Sequence, residues 1–186
     1  MGCAFSEASI RNLPGKELDA YVTREDKRLV KQSWKFFGND LDGVGLEVFQ
    51  RLFEMQEHLK KLFASMSSQK NGHHMFIDDD KLRSHGKIVM EALGSAVESL
   101  DDSVFLTNLL IAMGTKHSVY DVKTDMVVYF WPAIRDTMKD KLGDDFTPEV
   151  ERAWSHVFEY IASKFQEGIR KGKKNGRNKA EKVTGI

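Results

Sequence analysis

The chain of 186 residues is long enough to bury one sizeable core and carry an extension or two, and its 41% hydrophobic and 30% charged residues exclude a disordered chain. Only three prolines favour long helices over a turn-rich β fold, and a single cysteine, Cys3, excludes a disulfide-stapled secreted scaffold, so the chain reads as intracellular. The formal net charge of zero hides an asymmetry, because Gly168–Ile186 holds seven Lys or Arg against one Glu and leaves the remainder acidic by the same margin.

Residues 1–22 lack a sustained apolar period and contain Pro14 and Gly15, which predicts an extension. No apolar run approaches the roughly 18 residues that span a bilayer, and the N-terminus, MGCAFSEASIRNLPG, has no apolar signal-peptide core. Met1, Gly2 and Ser6 do fit the M-G-x-x-x-[ST] pattern for N-myristoylation, and Cys3 sits where a palmitoyl group is commonly added. One myristoyl chain binds membranes only marginally, so Cys3 and the basic C-terminal segment are natural second signals. The expectation is a protein anchored to the cytoplasmic face of the plasma membrane through acyl chains on Gly2 and Cys3, and not spanning it.

Thr23 and Asp26 resemble a capping box, after which Leu29, Val30, Ser33, Trp34 and Phe37 share one face of a first helix ending near Gly38. Leu41, Val44, Gly45, Val48, Phe49, Leu52 and Phe53 define a second. Gly45 inside it costs roughly 1 kcal/mol relative to Ala, which predicts a close helix crossing. A short apolar piece, Leu59–Phe63, follows, and from Ala64 to about Ile77 the period is lost and Ser, Asn and Gly predict a loop. His73 and His74 in that loop are expected to be solvated.

Asp78–Asp80 is placed to cap a helix whose stripe is Leu82, His85, Val89, Leu93, Ala96 and Leu100, with His85 on the buried side amid Ile88, Ala92 and Val97. Asp101 and Asp102 start a turn, and Leu106, Leu110, Met113 and His117 form the stripe of the next helix. Thr124–Leu142 reads as one long helix kinked at Pro132. Thr147 as cap and Pro148 in the first turn open a last helix, whose face is Val150, Ala153, Trp154, Val157, Phe158, Ile161 and Phe165. After Gly168 the pattern stops, and residues 169–186 are expected to be a disordered basic tail, solubilising or touching anionic lipid. With no period-two strand pattern, the fold class is all-α, seven to eight helices over residues 23–168.

Two helices thus aim one imidazole each, His85 and His117, into an apolar interior. An unpaired buried polar group costs on the order of 1 to 3 kcal/mol, so both need a partner. A lone core histidine is ordinarily satisfied by a carbonyl, but two together suggest a metal, and spacing leaves zinc and haem open. Other chemistry lacks a signature: there is no CxxC, no GxSxG and no phosphate-binding loop. With no aromatic residue among the tail's charges, nucleic acid is not an expected partner.

From about Thr23 to Gly168 the order of helices and residues resembles the globin family. Gln32, Ser33 and Trp34 look like the first-helix QSW of its neuroglobin-like branch, Gly45 and Gly86 like the small-residue crossing of the second and fifth helices, and Trp154 in TPEVERAW like the start of the last. Phe63 stands where globins pack a phenylalanine on the haem, His85 falls at the distal position 22 residues later, and His117 in GTKH falls at the proximal position. Phe49 and Val89 match the distal wall. The extended termini and MGC start are most similar to globin X, a membrane-associated, acylated relative of neuroglobin. The chain departs from the family in having Ser67 and Phe76 where some neuroglobins carry a cysteine pair, and Ile88 where many globins place a basic residue near a haem propionate, with Lys116 or Lys87 as substitutes.

The resemblance implies a globin fold around haem b (iron protoporphyrin IX) held by His117, with His85 on the other face either binding iron or donating a hydrogen bond to its ligand. Phe49, Phe63, Val89, Met113 and Val122 would line the pocket and limit water entry, with Lys116 near a propionate. The implied function is reversible binding of oxygen and other diatomic ligands, in membrane-proximal redox, sensing or protection with an unnamed redox partner. The alternatives are a haem enzyme that reduces nitrite or scavenges nitric oxide, and a simple oxygen store or carrier.

Overall fold

The computed structural model describes residues 18–38, 40–70 and 74–184. The first described element precedes the expected boundary. A 3-10 turn, Leu18–Ala20, buries Leu18 completely and is closed by the N–H groups of Tyr21 and Val22 donating to the Leu18 carbonyl, both at 2.9 Å. The packed body therefore includes part of the segment that the sequence assigns to the extension.

Helix α1, Arg24–Trp34, starts at a full capping box: the Asp26 N–H donates to Thr23 Oγ1 at 3.1 Å and the Thr23 N–H donates to Asp26 Oδ2 at 2.9 Å. It tightens into a 3-10 turn, Lys35–Phe37, before α2, Leu41–Met55, which is capped by Asp40. The QSW segment now has a physical role. The Ser33 hydroxyl donates to the Leu29 carbonyl at 2.8 Å and accepts from Trp154 Nε1 at 2.9 Å, while Trp34 lies 6.0 Å from the Trp154 ring and fills the space left by Gly94. First and last helices are thereby joined through a satisfied polar pair inside an aromatic cluster.

After α2 come 3-10 turns over Glu57–Met66, kinked at Phe63 (φ −103°, ψ 19°). The expected loop is then corrected: β1, Ser67–Lys70, pairs antiparallel with β2, His74–Ile77, in the register Ser67 to Ile77 and Lys70 to His74. At four residues each, the polar β1 and the continuously apolar Met75–Ile77 of β2 show no period-two alternation, although Asn71-Gly72 between them is a hairpin-type dipeptide. His74 opens β2, and His73 lies outside the described residues.

Helix α3, Asp79–Glu98, is capped by the Asp78 carboxylate, which accepts from the Asp80 and Lys81 N–H groups. It crosses α2 with Gly45 and Gly86 in backbone contact: a Cβ on Gly86 would sit 2.6 Å from the Gly45 carbonyl carbon. Helix α4, Ser103–His117, is capped by Asp102. Pro132 does not kink a helix. It stands third in α5, Phe130–Leu142, with 3-10 turns over Thr124–Tyr129 ahead of it, because a proline ring clashes with the carbonyl four residues back and is tolerated only in a first turn.

Helix α6, Pro148–Thr184, is the second large correction. The disordered tail expected after Gly168 is helical as far as Thr184, with Ile169 only 1% exposed and Gly172 still packed on the body. Among the described residues no helix is long and apolar enough to cross a membrane. Overall the chain is an all-α fold with a short hairpin attached.

Candidate functional site

His117 is the last residue of α4. A 3-10 turn, Ser118–Tyr120, follows, and Asp121 turns the chain in the left-handed region (φ 58°), which Asp tolerates better than bulkier residues do. His117 Nδ1 lies 2.8 Å from the Met113 carbonyl one turn back. A carbonyl only accepts, so Nδ1 carries the hydrogen, and in the neutral ring it is Nε2 that holds the lone pair. The Phe165 ring packs on the imidazole with centroids 4.8 Å apart.

His85, midway along α3, is half-buried between Phe49 and Phe63, with ring centroids at 5.2 and 5.7 Å. Burial, and then repulsion by charge on His117, holds its pKa below the ordinary imidazole value of 6.5. Water is a better solvent for an imidazolium than this apolar setting, and two facing imidazoles disfavour protonation of each other. His85 is therefore a neutral imidazole at neutral pH, the form in which it can bind a metal.

Both histidines line one cleft of about 210 Å³, bounded by α2, α3, α4, α5 and α6. Every other lining residue is apolar. Phe49, Phe63, Val89, Met113 and Val122 all line it. Lys116 does not: it is exposed and absent from the lining, and Lys87 is exposed and paired with Glu91 at 3.8 Å. Ile88 is 61% exposed, not on the buried side of α3 where its neighbours suggested. Sequence reasoning missed Met126, Val127 and Phe130, which it read only as part of one long apolar helix and which lie on the 3-10 turns before α5 and at its first residue. It placed Ile161 and Phe165 on the core face of the last helix without assigning them to the site. Their i, i+4 spacing one turn beyond Val157 was the available signal.

Among the described residues no third His, Cys, Asp or Glu joins the two imidazoles. Protein zinc sites draw on three or four protein ligands, so this donor set suits a metal whose remaining positions are filled by something other than the chain. The sequence model of the family described as Globin matches residues 46–165, more than half of the chain. The chain belongs to the globin family.

Neuroglobin from Dissostichus mawsoni is 26% identical over 160 residues, covering 86% of this globin and 98% of that protein. Haemoglobin subunit alpha-D from Sturnus vulgaris is 28% identical over 151 residues, covering 80% and 99%. Among solved structures, a hexacoordinated heme protein from an anhydrobiotic tardigrade, determined at pH 4, superposes with a TM-score of 0.70 at 20% identity, covering 80% of this chain and 96% of that one. That likeness is one of fold.

Globin membership implies a haem cofactor, and the site fits one. A macrocycle needs apolar walls and an imidazole presenting a free lone pair, and the cleft supplies both: an apolar lining and His117 with Nδ1 already committed to the Met113 carbonyl.

Proposed function

We propose that this globin holds haem b between His117 and His85 and binds oxygen and other diatomic ligands reversibly beside a membrane, in redox, sensing or protective work. The observation that carries the reading is the hydrogen bond from His117 Nδ1–H to the Met113 carbonyl at 2.8 Å, which fixes the tautomer and leaves Nε2 to ligate. Haem bound there supplies the iron at which diatomic ligands exchange. His85, neutral and lining the same cleft, would hold the iron from the side opposite His117 in the resting state, so that an external ligand would compete with its imidazole. Phe49, Phe63, Val89 and Val122 keep water from the cleft.

The membrane part rests on the Gly2 and Cys3 acylation pattern, outside the described residues, and on exposed Arg170, Lys171, Lys174 and Arg177 in α6. These features favour globin X over the haemoglobin-like alternatives, since mass transport needs neither acyl chains nor a cationic helix. The first test is the visible absorption spectrum of purified protein, oxidised and dithionite-reduced, without added ligand. Sharp low-spin bands in the reduced form, lost in His85→Leu, are expected. A single broad high-spin band would remove His85 from the iron and make it a hydrogen-bond donor instead.

A further inference from the structure

The main chain of α6 touches the main chain of α4 at the turn that carries His117. A Cβ on Gly114, three residues before His117, would lie 2.8 Å from the Phe165 carbonyl carbon. One on Gly168 would lie 2.8 Å from the Thr115 nitrogen and 2.9 Å from Gly114 Cα. The Thr115 hydroxyl reaches the Gly168 carbonyl at 3.2 Å, and Gly172, a turn later, abuts the Ser118 side chain and the Thr115 carbonyl. At this junction Phe165 sets its ring 4.8 Å from the His117 ring, at 56°.

The Met113 carbonyl holds one edge of the imidazole, and a single hydrogen bond leaves the ring free to rock about that edge. Tyr120 cannot stop this, being 6.4 Å away and itself 66% exposed. We propose that Phe165 is the positioning residue that fixes the plane of the His117 imidazole in the cleft, held there by the backbone contact of Gly114 with Phe165 and Gly168. The proposal rests on the reading of His117 as the iron ligand. It makes the α6 segment around Gly168 and Gly172 part of the proximal wall and not a tail.

The test uses the full chain in three variants, Phe165→Ala, Phe165→Leu and Phe165→Tyr. In the haem-loaded protein carrying His85→Leu, the iron–histidine stretching band of the reduced form is recorded by resonance Raman, with the carbon monoxide association rate beside it. Phe165→Ala and Phe165→Leu are expected to shift or split the band and change the rate several-fold, while Phe165→Tyr restores both. In the apoprotein, the His117 ring-proton NMR shifts should move in Phe165→Leu, which removes the ring current while roughly keeping the volume, so a poorly folding Phe165→Ala does not decide the matter. An unchanged iron–histidine band and carbon monoxide rate in a folded Phe165→Leu would overturn the proposal, since the proton shifts then report only the lost ring current. His117→Gly measured in parallel separates the two ideas: if it keeps the parent spectrum, the ligand reading fails, whatever Phe165 does.

Discussion

His117 and His85 are chemically identical side chains with different tasks, set by what each touches. His117 has one nitrogen committed to a carbonyl and the other free, whereas His85 has aromatic rings on two sides and a pKa held down by burial and then by its counterpart. His117→Gly is expected to purify with little haem, and to take it up only when imidazole is added to fill the vacated space. The Soret-to-protein absorbance ratio measures this, and the parent ratio without imidazole would exclude the ligand role. The two positions were legible in the sequence because each sits in an apolar stripe of spacing three and four, where an imidazole demands a partner. Lys116 shows the limit of that logic. Adjacency to His117 in sequence puts it about 100° around the helix, and it faces solvent.

At the scale of elements, glycine carries much of the architecture. The α2–α3 crossing brings backbone to backbone at Gly45 and Gly86, with no room for a side chain. Gly45→Val should therefore destabilise the fold by about 3 kcal/mol, seen as a lowered urea midpoint at an unchanged slope. A midpoint equal to that of the parent would mean that the helices separate freely. The same principle explains the misread of α6. Gly168, Gly172 and Gly176 recur at i+4, so the packed stripe continues past Phe165, at least to Gly172, with hydrogen in place of side chains. A search for apolar periodicity is blind to it. Pro132 reads in the sequence as a kink but lies in the first turn of α5, because a kink within a helix and the start of one have the same local signature.

At the scale of the whole molecule, Asp26 ties the first helix to the last. Burial by itself would raise its pKa, but hydrogen bonds from the Thr23 N–H, the His156 ring and the Thr23 hydroxyl outweigh this and hold it below the usual 3.8. A depressed carboxylate contributes stability above its unfolded pKa and loses it as pH falls through the folded one. The difference in apoprotein melting temperature between parent and Asp26→Asn should accordingly be full at neutral pH and shrink below about pH 3.9. A difference independent of pH would assign the effect to shape alone. For the anchoring reading, Gly2→Ala expressed in eukaryotic cells should move the chain from the membrane fraction to the cytosolic one, and equal partitioning would end that idea.

What the sequence by itself determined was the all-α class, most helix starts and the pair of histidines facing an interior, because caps and the 3.6-residue period are local properties that each segment carries alone. The tertiary structure alone decided that the histidines share one cleft, that Phe165 lies on one of them, that Lys116 and Ile88 stay outside, and that α6 continues through its glycines. Those outcomes depend on which surfaces meet, and a close approach between distant glycines leaves no mark on the residues around either one.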